Sequence, residues 1–566
     1  MDKQNNLAKI KMMLIFSAIL VVVGGIFLTN GTKLTPSQNT IKDADTQMRL
    51  DSVLKDIRVT EGKEVKGTIE YTEDDDSVAK ELPDIETKTV AVEPTSTLYA
   101  EIYASPEKAG SGNDRWMKEL GERFNREGFE IEGEKISVKI RNVTSGQAMD
   151  YIASGKAIPD GFSPSNNMWV KMLNADGIET EDIMEKTVGN IAGIVIRNET
   201  YKELSQNASE VTIQTIVDAV ENGTVTMGYT NPFTSSTGLN FLVSTLQAYD
   251  SNNLLSDTAI EGFSRFQGNI PFVSFNSQQM NNAAKNGTFN AFVSEYQIYC
   301  KDASMSRNYT FIPYGYRHDN PLVAIGDISE EKKAILKTFA KYCESDEARK
   351  LAKDCGFDMN PDYKAPFEEL DGATLLDAQQ LYKEKKDAGN PVIAVFVADT
   401  SGSMDGAPLA SLKESLINSM KYIGAGNYVG LVSYSSNVTI ERPIEQFDIN
   451  AQSFFKGSVE SMRAGGNTAT YDAVAVAVDM VRKKKEEMPN AKTMLFVLSD
   501  GETNSGHTLD KITPIIQGYQ IPIYTIAYNA QINDLKKLSE INEAASINAT
   551  TDDVVYQLKQ LFNANI

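Results

Sequence analysis

The stretch Phe396–Met404, FVADTSGSM, closes a continuous apolar run, Val392–Ala398, with an aspartate and two serines in the spacing D-x-S-x-S: Asp399, Ser401 and Ser403. An unbroken apolar run of this length reads as a strand buried on both faces, the kind found in parallel sheets. Three oxygen-bearing side chains at its carboxyl end are out of keeping with a plain core strand. Taken alone, Asp-Thr-Ser after a strand is a turn or a helix cap. Its meaning depends on what the rest of the chain brings to the same place.

Working outward, apolar runs recur at Tyr428–Tyr434, Thr493–Leu498 and Ile521–Ala527. Helical patterns alternate with them at Leu409–Ile423, Thr470–Lys485, Thr508–Gly518, Ile532–Ala544 and Asp552–Phe562. This alternation predicts an α/β domain over residues 388–566, its mainly parallel sheet covered on both faces. In such sheets ligands sit at the carboxyl ends of strands. Asp399 falls there, and so does Asp500 in LSDGETN; Thr468, in GGNTATYDA, precedes a helix between them. Two carboxylates and three hydroxyls from three loops make an oxygen cage, the donor set that hard cations such as Mg²⁺ or Mn²⁺ prefer.

The D-x-S-x-S, G-G-x-T and S-D-G motifs, in this order over about 175 residues of α/β pattern, resemble the von Willebrand factor A (VWA) domain and its metal-ion-dependent adhesion site. The resemblance implies a Rossmann-like fold holding Mg²⁺ or Mn²⁺. Ser401, Ser403 and Thr468 would ligate directly, and Asp399 and Asp500 largely through water. A partner protein's acidic side chain would complete the shell. Asn467, between the glycine pair and Thr468, departs from the usual spacing and leaves the loop's shape open.

Residues 95–370 mix strands and helices less regularly. Leu98–Ala104, Lys135–Ile140, 192–198 and 224–233 read as strands, with a helix at about Asp114–Arg126. SSTGLNFLVSTLQAYD opens a helix with hydroxyl residues and a glycine, offering free N–H groups to a polar solute. With LYAEIYASPEKAG, GFSPSNNMWVKML, MGYTNPF and IPYGYRHDNPLVAIG, the region is similar to extracellular two-lobe solute-binding proteins. That resemblance implies a periplasmic-binding-protein-like fold with a small solute in an interlobe cleft, and by position Ser105, Ser165, Thr234, Ser235, Ser236 and Tyr296 are the cleft candidates.

At the N-terminus, residues 12–29 form an apolar segment behind Lys3, Lys9 and Lys11. It has the length of a spanning helix, and the basic flank places residues 1–11 in the cytoplasm. The expectation is an uncleaved, single-pass signal anchor in a bacterial membrane, everything after about residue 30 lying outside; a cleaved signal peptide is the competing reading. Residues 30–94, polar and acidic, read as a stalk, and 371–387 as a second linker.

Composition limits the alternatives. With 566 residues, two or three folded units are expected. A net charge of −22 argues against a nucleic-acid partner. Two histidines, in unrelated segments, starve any zinc protease or His-dependent triad. The three cysteines have no zinc spacing, and a Cys343–Cys355 pair stays open. Three functions follow: docking of a protein partner through the cation, reception of a solute for a transporter or sensor, and, remotely, metal-assisted hydrolysis. Neither a general base at a strand end nor a nucleophile elbow is present, so binding rather than catalysis is expected.

Overall fold

The computed structural model describes residues 36–566 apart from 70–78, 80–81, 207, 275–279, 282–288, 387, 502, 529–532, 542–545, 549–553 and 566. The expected anchor at 12–29 lies outside these residues. Among the described residues no helix is long and apolar enough to cross a membrane. Two compact units divide the chain at residue 56. In the first, the helix Pro36–Leu54 carries side-chain pairs one turn apart, Arg49 with Asp45 at 2.8 Å and Gln47 with Asp51 at 2.7 Å.

Among the described residues the second unit holds three sheets. The C-terminal one runs, in spatial order, Val59–Glu61, Val438–Gln446, Tyr428–Tyr434, Val392–Asp399, Lys492–Ser499, Ile523–Ala527 and Ser546–Asn548. Val392–Asp399 is central and pairs in parallel on both sides, and every one of its residues is buried. Phe396 stacks on Phe496 at 5.0 Å between ring centres, Phe496 stacks on Tyr524 at 5.1 Å, and Phe562 closes edge-on over both phenylalanines. Each such ring contributes about 1.5–3 kcal/mol by leaving water.

The sheet's far edge departs from the sequence reading. Val438–Gln446 returns antiparallel to Tyr428–Tyr434. Its sequence VTIERPIEQ carries charges and a proline, as edge strands do. Beside it, in parallel, lies Val59–Glu61 from the stretch read as a stalk. Gly62 N donates to Ile440 O at 2.8 Å, Gly67 N to Ser453 O at 2.8 Å and Ser453 Oγ to Gly67 O at 2.7 Å. Part of the supposed stalk is therefore an edge strand of the last domain. Backbone hydrogen bonds at an open edge need no apolar side chains, which is why the sequence does not announce them.

The middle region forms two lobes. One sheet contains Val90–Val92, Glu134–Asn142, Leu98–Ala104, Gly161–Ser163, Leu322–Ile325 and Thr180–Met184 in order, with Glu130–Ile131 paired to Glu134–Asn142. The other contains Phe272–Ser274, Met227–Thr230, Ala291–Glu295, Asn190–Arg197 and Tyr309–His318. The chain crosses between them at 185–189 and 319–321. The stretch read as a linker at 371–387 holds the helix Gly372–Lys385, capped by Asp371. It packs on both lobes: Gly372 lies against the backbone of Lys171, and Tyr382 against Tyr229 and Phe263. Cys300, Cys343 and Cys355 are free thiols.

Candidate functional site

At the carboxyl end of the central strand, three loops are tied together. Asp399 Oδ1 accepts from Ser401 N at 2.8 Å, and Oδ2 from Ser499 Oγ at 2.5 Å. Ser401 Oγ and Ser403 Oγ lie 3.1 Å apart, and Ser403 Oγ donates to Asp500 Oδ1 at 2.9 Å. The first loop holds the second through its backbone: Gly402 N donates to Gly466 O at 3.0 Å and Gly465 N to Thr400 O at 2.9 Å. The second holds the third, because Thr468 N donates to Asn504 Oδ1 at 2.8 Å while Asn504 N and Ser505 N donate back to Thr468 O. Asn467, the departure from the usual spacing, donates its N–H to Ser436 Oγ at 2.9 Å.

All five residues singled out in the sequence thus belong to loops at one end of one sheet. Asp399, Ser401, Thr468 and Asp500 are buried, and Ser403 is exposed. Burial is the largest influence on Asp399 and pushes its carboxyl above the ordinary range; the neighbouring Asp500 charge adds to this, and hydrogen bonds from Ser499 and Ser401 oppose it. The donor set is oxygen only, with two carboxylates that repel each other. That is the chemistry a hard divalent cation relieves. Among the described residues no three His, Cys, Asp or Glu gather into a metal-binding group, and hydroxyls make up the rest of this set.

Three supporting residues were not read from the sequence. Ser499 is a buried polar residue at the end of an apolar strand, and that mismatch was the available signal. Asn504 had none. His507, set aside with the histidine count, brings Nδ1 within 2.7 Å of Asp472 Oδ1 and donates its backbone N–H to the same oxygen at 2.9 Å. This pins the Asp500 loop to the helix Thr470–Glu487. Gly506, at φ +79° and packed on the Asp472 carboxylate, has no room for a side chain.

In the middle region a second polar cluster lies between the lobes. Ser105 and Ser165, both predicted, are buried in it, Ser165 Oγ donating to Ser105 Oγ at 2.9 Å and to Glu107 Oε2 at 3.2 Å. Ser236 joins the lobes as well, accepting from Trp169 Nε1 at 2.8 Å and donating to Ser145 Oγ at 3.2 Å. Thr234 presents its backbone carbonyl to Gly146 N at 3.3 Å. Ser235 is a helix cap, accepting from Gly238 N. Tyr296 is elsewhere: its ring packs edge-on against Phe311 and beside Tyr299. Its chain neighbours Glu295, at the strand end, and Gln297, in the first turn of the helix Tyr296–Lys301, are the ones in the cluster. Glu295 accepts from Asn190 Nδ2 at 2.6 Å and Thr237 Oγ1 at 3.1 Å and faces His318 Nδ1 at 3.1 Å. Gln297 Nε2 crosses the cleft to Asp114 Oδ1 at 2.6 Å and Glu107 O at 3.0 Å. Burial, with the Glu295 charge next, pushes Glu107 up, and burial pushes Asp114 up to about 7.

Comparison with family models agrees with both regions. The family model of the von Willebrand factor type A domain matches residues 394–564, and that of the bacterial extracellular solute-binding protein matches residues 109–358. Inter-alpha-trypsin inhibitor heavy chain H4 from Sus scrofa is 31% identical over 121 residues, covering 21% of this chain and 13% of that protein. The match thus spans a small part of that relative's length. Among solved structures, a von Willebrand factor type A protein from Catenulispora acidiphila matches at TM-score 0.27 and 18% identity over 31% of this chain and 42% of its own. A periplasmic thiamin binding protein matches at TM-score 0.39 and 11% identity over 52% of this chain and 98% of its own. The chain carries a bacterial extracellular solute-binding domain followed by a von Willebrand factor type A domain.

Proposed function

We propose that this protein docks a protein partner through a divalent cation held at the VWA strand ends. The observation that carries the reading is the stitching of three loops around one all-oxygen donor set, with Ser403 bonded to Asp500 and Thr468 fixed by Asn504. Ser401, Ser403 and Thr468 are the direct ligands in this reading, and Asp399 and Asp500 act through water. Bound Mg²⁺ or Mn²⁺ supplies an attraction for a carboxylate from the partner, strong because few charged ligands neutralise it. The work is binding, not catalysis. The setting is the outer face of a bacterial membrane, with residues 12–29 as a single-pass anchor. The test is capture of an envelope partner by immobilised full chain in the presence of Mn²⁺, with Asp399→Ala expected to abolish capture while its circular dichroism is unchanged. Capture retained by the folded variant defeats the reading.

A second reading, reception of a free solute, draws on the match of residues 109–358 to solute-binding proteins. It requires a small molecule that stabilises the middle domain.

A further inference from the structure

The interlobe cluster contains a cation of its own. Lys108 is 0% exposed. Its Nζ lies 2.7 Å from Ser105 Oγ, 2.8 Å from Ser163 O, 3.1 Å from Asn320 Oδ1 and 3.2 Å from Pro164 O. An ammonium has three hydrogens and no acceptor, so four surrounding oxygens satisfy it fully. Ser105 and Ser163 stand at the carboxyl ends of Leu98–Ala104 and Gly161–Ser163, where an open α/β sheet places its ligand.

We propose that Lys108 is the resident ligand of the cleft: its ammonium fills the place a free solute takes in a two-lobe receptor. This inference is independent of the cation site in the VWA domain.

Several features agree. Full burial leaves no water-sized space beside the amine, so a solute there must first expel it. The hydroxyls of Ser105 and Ser165 are engaged with Lys108 and Glu107. Asn320 is shaped to receive the amine: it sits at φ +49°, its Nδ2 donating to Val188 O and His318 O while Oδ1 accepts from Lys108. The start of helix Ser145–Ala153, another place for an anionic group, is covered by the Thr234 carbonyl, and a side chain on Gly146 would strike Phe233 O. The carboxylates of Glu107 and Glu295 favour the charged amine, against burial, which brings Lys108 down to about 7. Asp114 and His318 also face this cluster through Gln297 and Glu295. A tethered ligand acts at an effective concentration of about millimolar or more, so a free ammonium of equal fit competes poorly.

Two measurements on the full chain test this. Under native amine labelling followed by peptide mass spectrometry, Lys108 reacts at least about tenfold more slowly than exposed Lys301. Equal rates overturn the proposal. Lys108→Ala removes the three outer methylenes and the ammonium; n-propylammonium then raises the melting temperature of this variant and leaves the native chain and Lys108→Met unmoved. A folded Lys108→Ala chain indifferent to n-propylammonium overturns it, as does a small molecule found between the lobes of the native chain by native mass spectrometry. If Lys108→Ala does not fold, the labelling result decides alone. Asp399→Ala leaves both readouts unchanged, so failure of the metal reading and failure of this one are told apart.

Discussion

Ser403 Oγ donates to Asp500 Oδ1 across 2.9 Å, joining two loops that are 97 residues apart in sequence. Only a parallel arrangement of Val392–Asp399 and Lys492–Ser499 brings their carboxyl ends side by side, so this bond depends directly on the sheet's topology.

The tie between Thr468 and Asn504 fixes a proposed cation ligand without being one. Asn504→Ala removes the acceptor of the Thr468 N–H and loosens that loop. Supporting residues of this kind are worth about 10–100-fold in metal affinity. Calorimetric titration with Mn²⁺ is expected to show a loss in that range with the melting temperature of the metal-free chain nearly unchanged.

The aromatic stack beneath the site contributes to the domain's stability. Phe496→Ala deletes a ring packed between Phe396 and Tyr524 and leaves a cavity under Phe562. A destabilisation of about 3–5 kcal/mol is expected in denaturant unfolding monitored on the VWA domain.

The edge strand Val59–Glu61 is held with the help of the following segment, where a side chain on Gly457 would run into the Val65 carbonyl. Gly457→Ala is therefore expected to release residues 57–69 while the central strand stays protected. Hydrogen exchange reads this as faster exchange at Gly62 and Gly67, whose N–H groups are bonded to Ile440 O and Ser453 O.

Asp114 gives the middle domain a signed pH dependence. Its carboxyl is pushed from 3.8 up to about 7 by burial, with Glu107 and Glu295 adding. A raised folded value means the native state holds the proton where the unfolded chain has lost it. The stability this contributes is complete below about 4 and is lost as the pH rises through about 7. Asp114→Asn, which cannot ionise, should gain stability relative to the native chain between about pH 5 and pH 8, measured by urea unfolding at each pH.

The parts of this architecture legible in the sequence are those where burial writes a pattern. Val392–Ala398 is apolar at every position because both its faces are covered, and its abrupt end at Asp399 marks the strand terminus. The helices from Ala407, Thr470 and Leu509 follow their apolar stripes to within two residues of the expected starts. What escaped notice depends on other forces. Val438–Gln446 is half solvent-facing and interrupted by Pro443, and Val59–Glu61 is exposed at all three residues, held largely by its backbone. The helix Ile449–Ser461 contains Gly457 and several weak helix formers, though Asp448, its cap, was a readable sign. In the cleft, hydroxyl residues read as solute contacts because they both donate and accept hydrogen bonds. Lys108, Glu295 and His318 carry no such signal, because single charged residues ordinarily read as surface.

The central claim, cation-dependent docking at the strand ends, meets its most direct test in calorimetric titration of Mn²⁺ into the chelator-treated full chain, native and Asp399→Ala side by side. The account predicts one equivalent bound by the native chain and none by the variant, both folded. No binding to the native chain, or equal binding to the two, contradicts it.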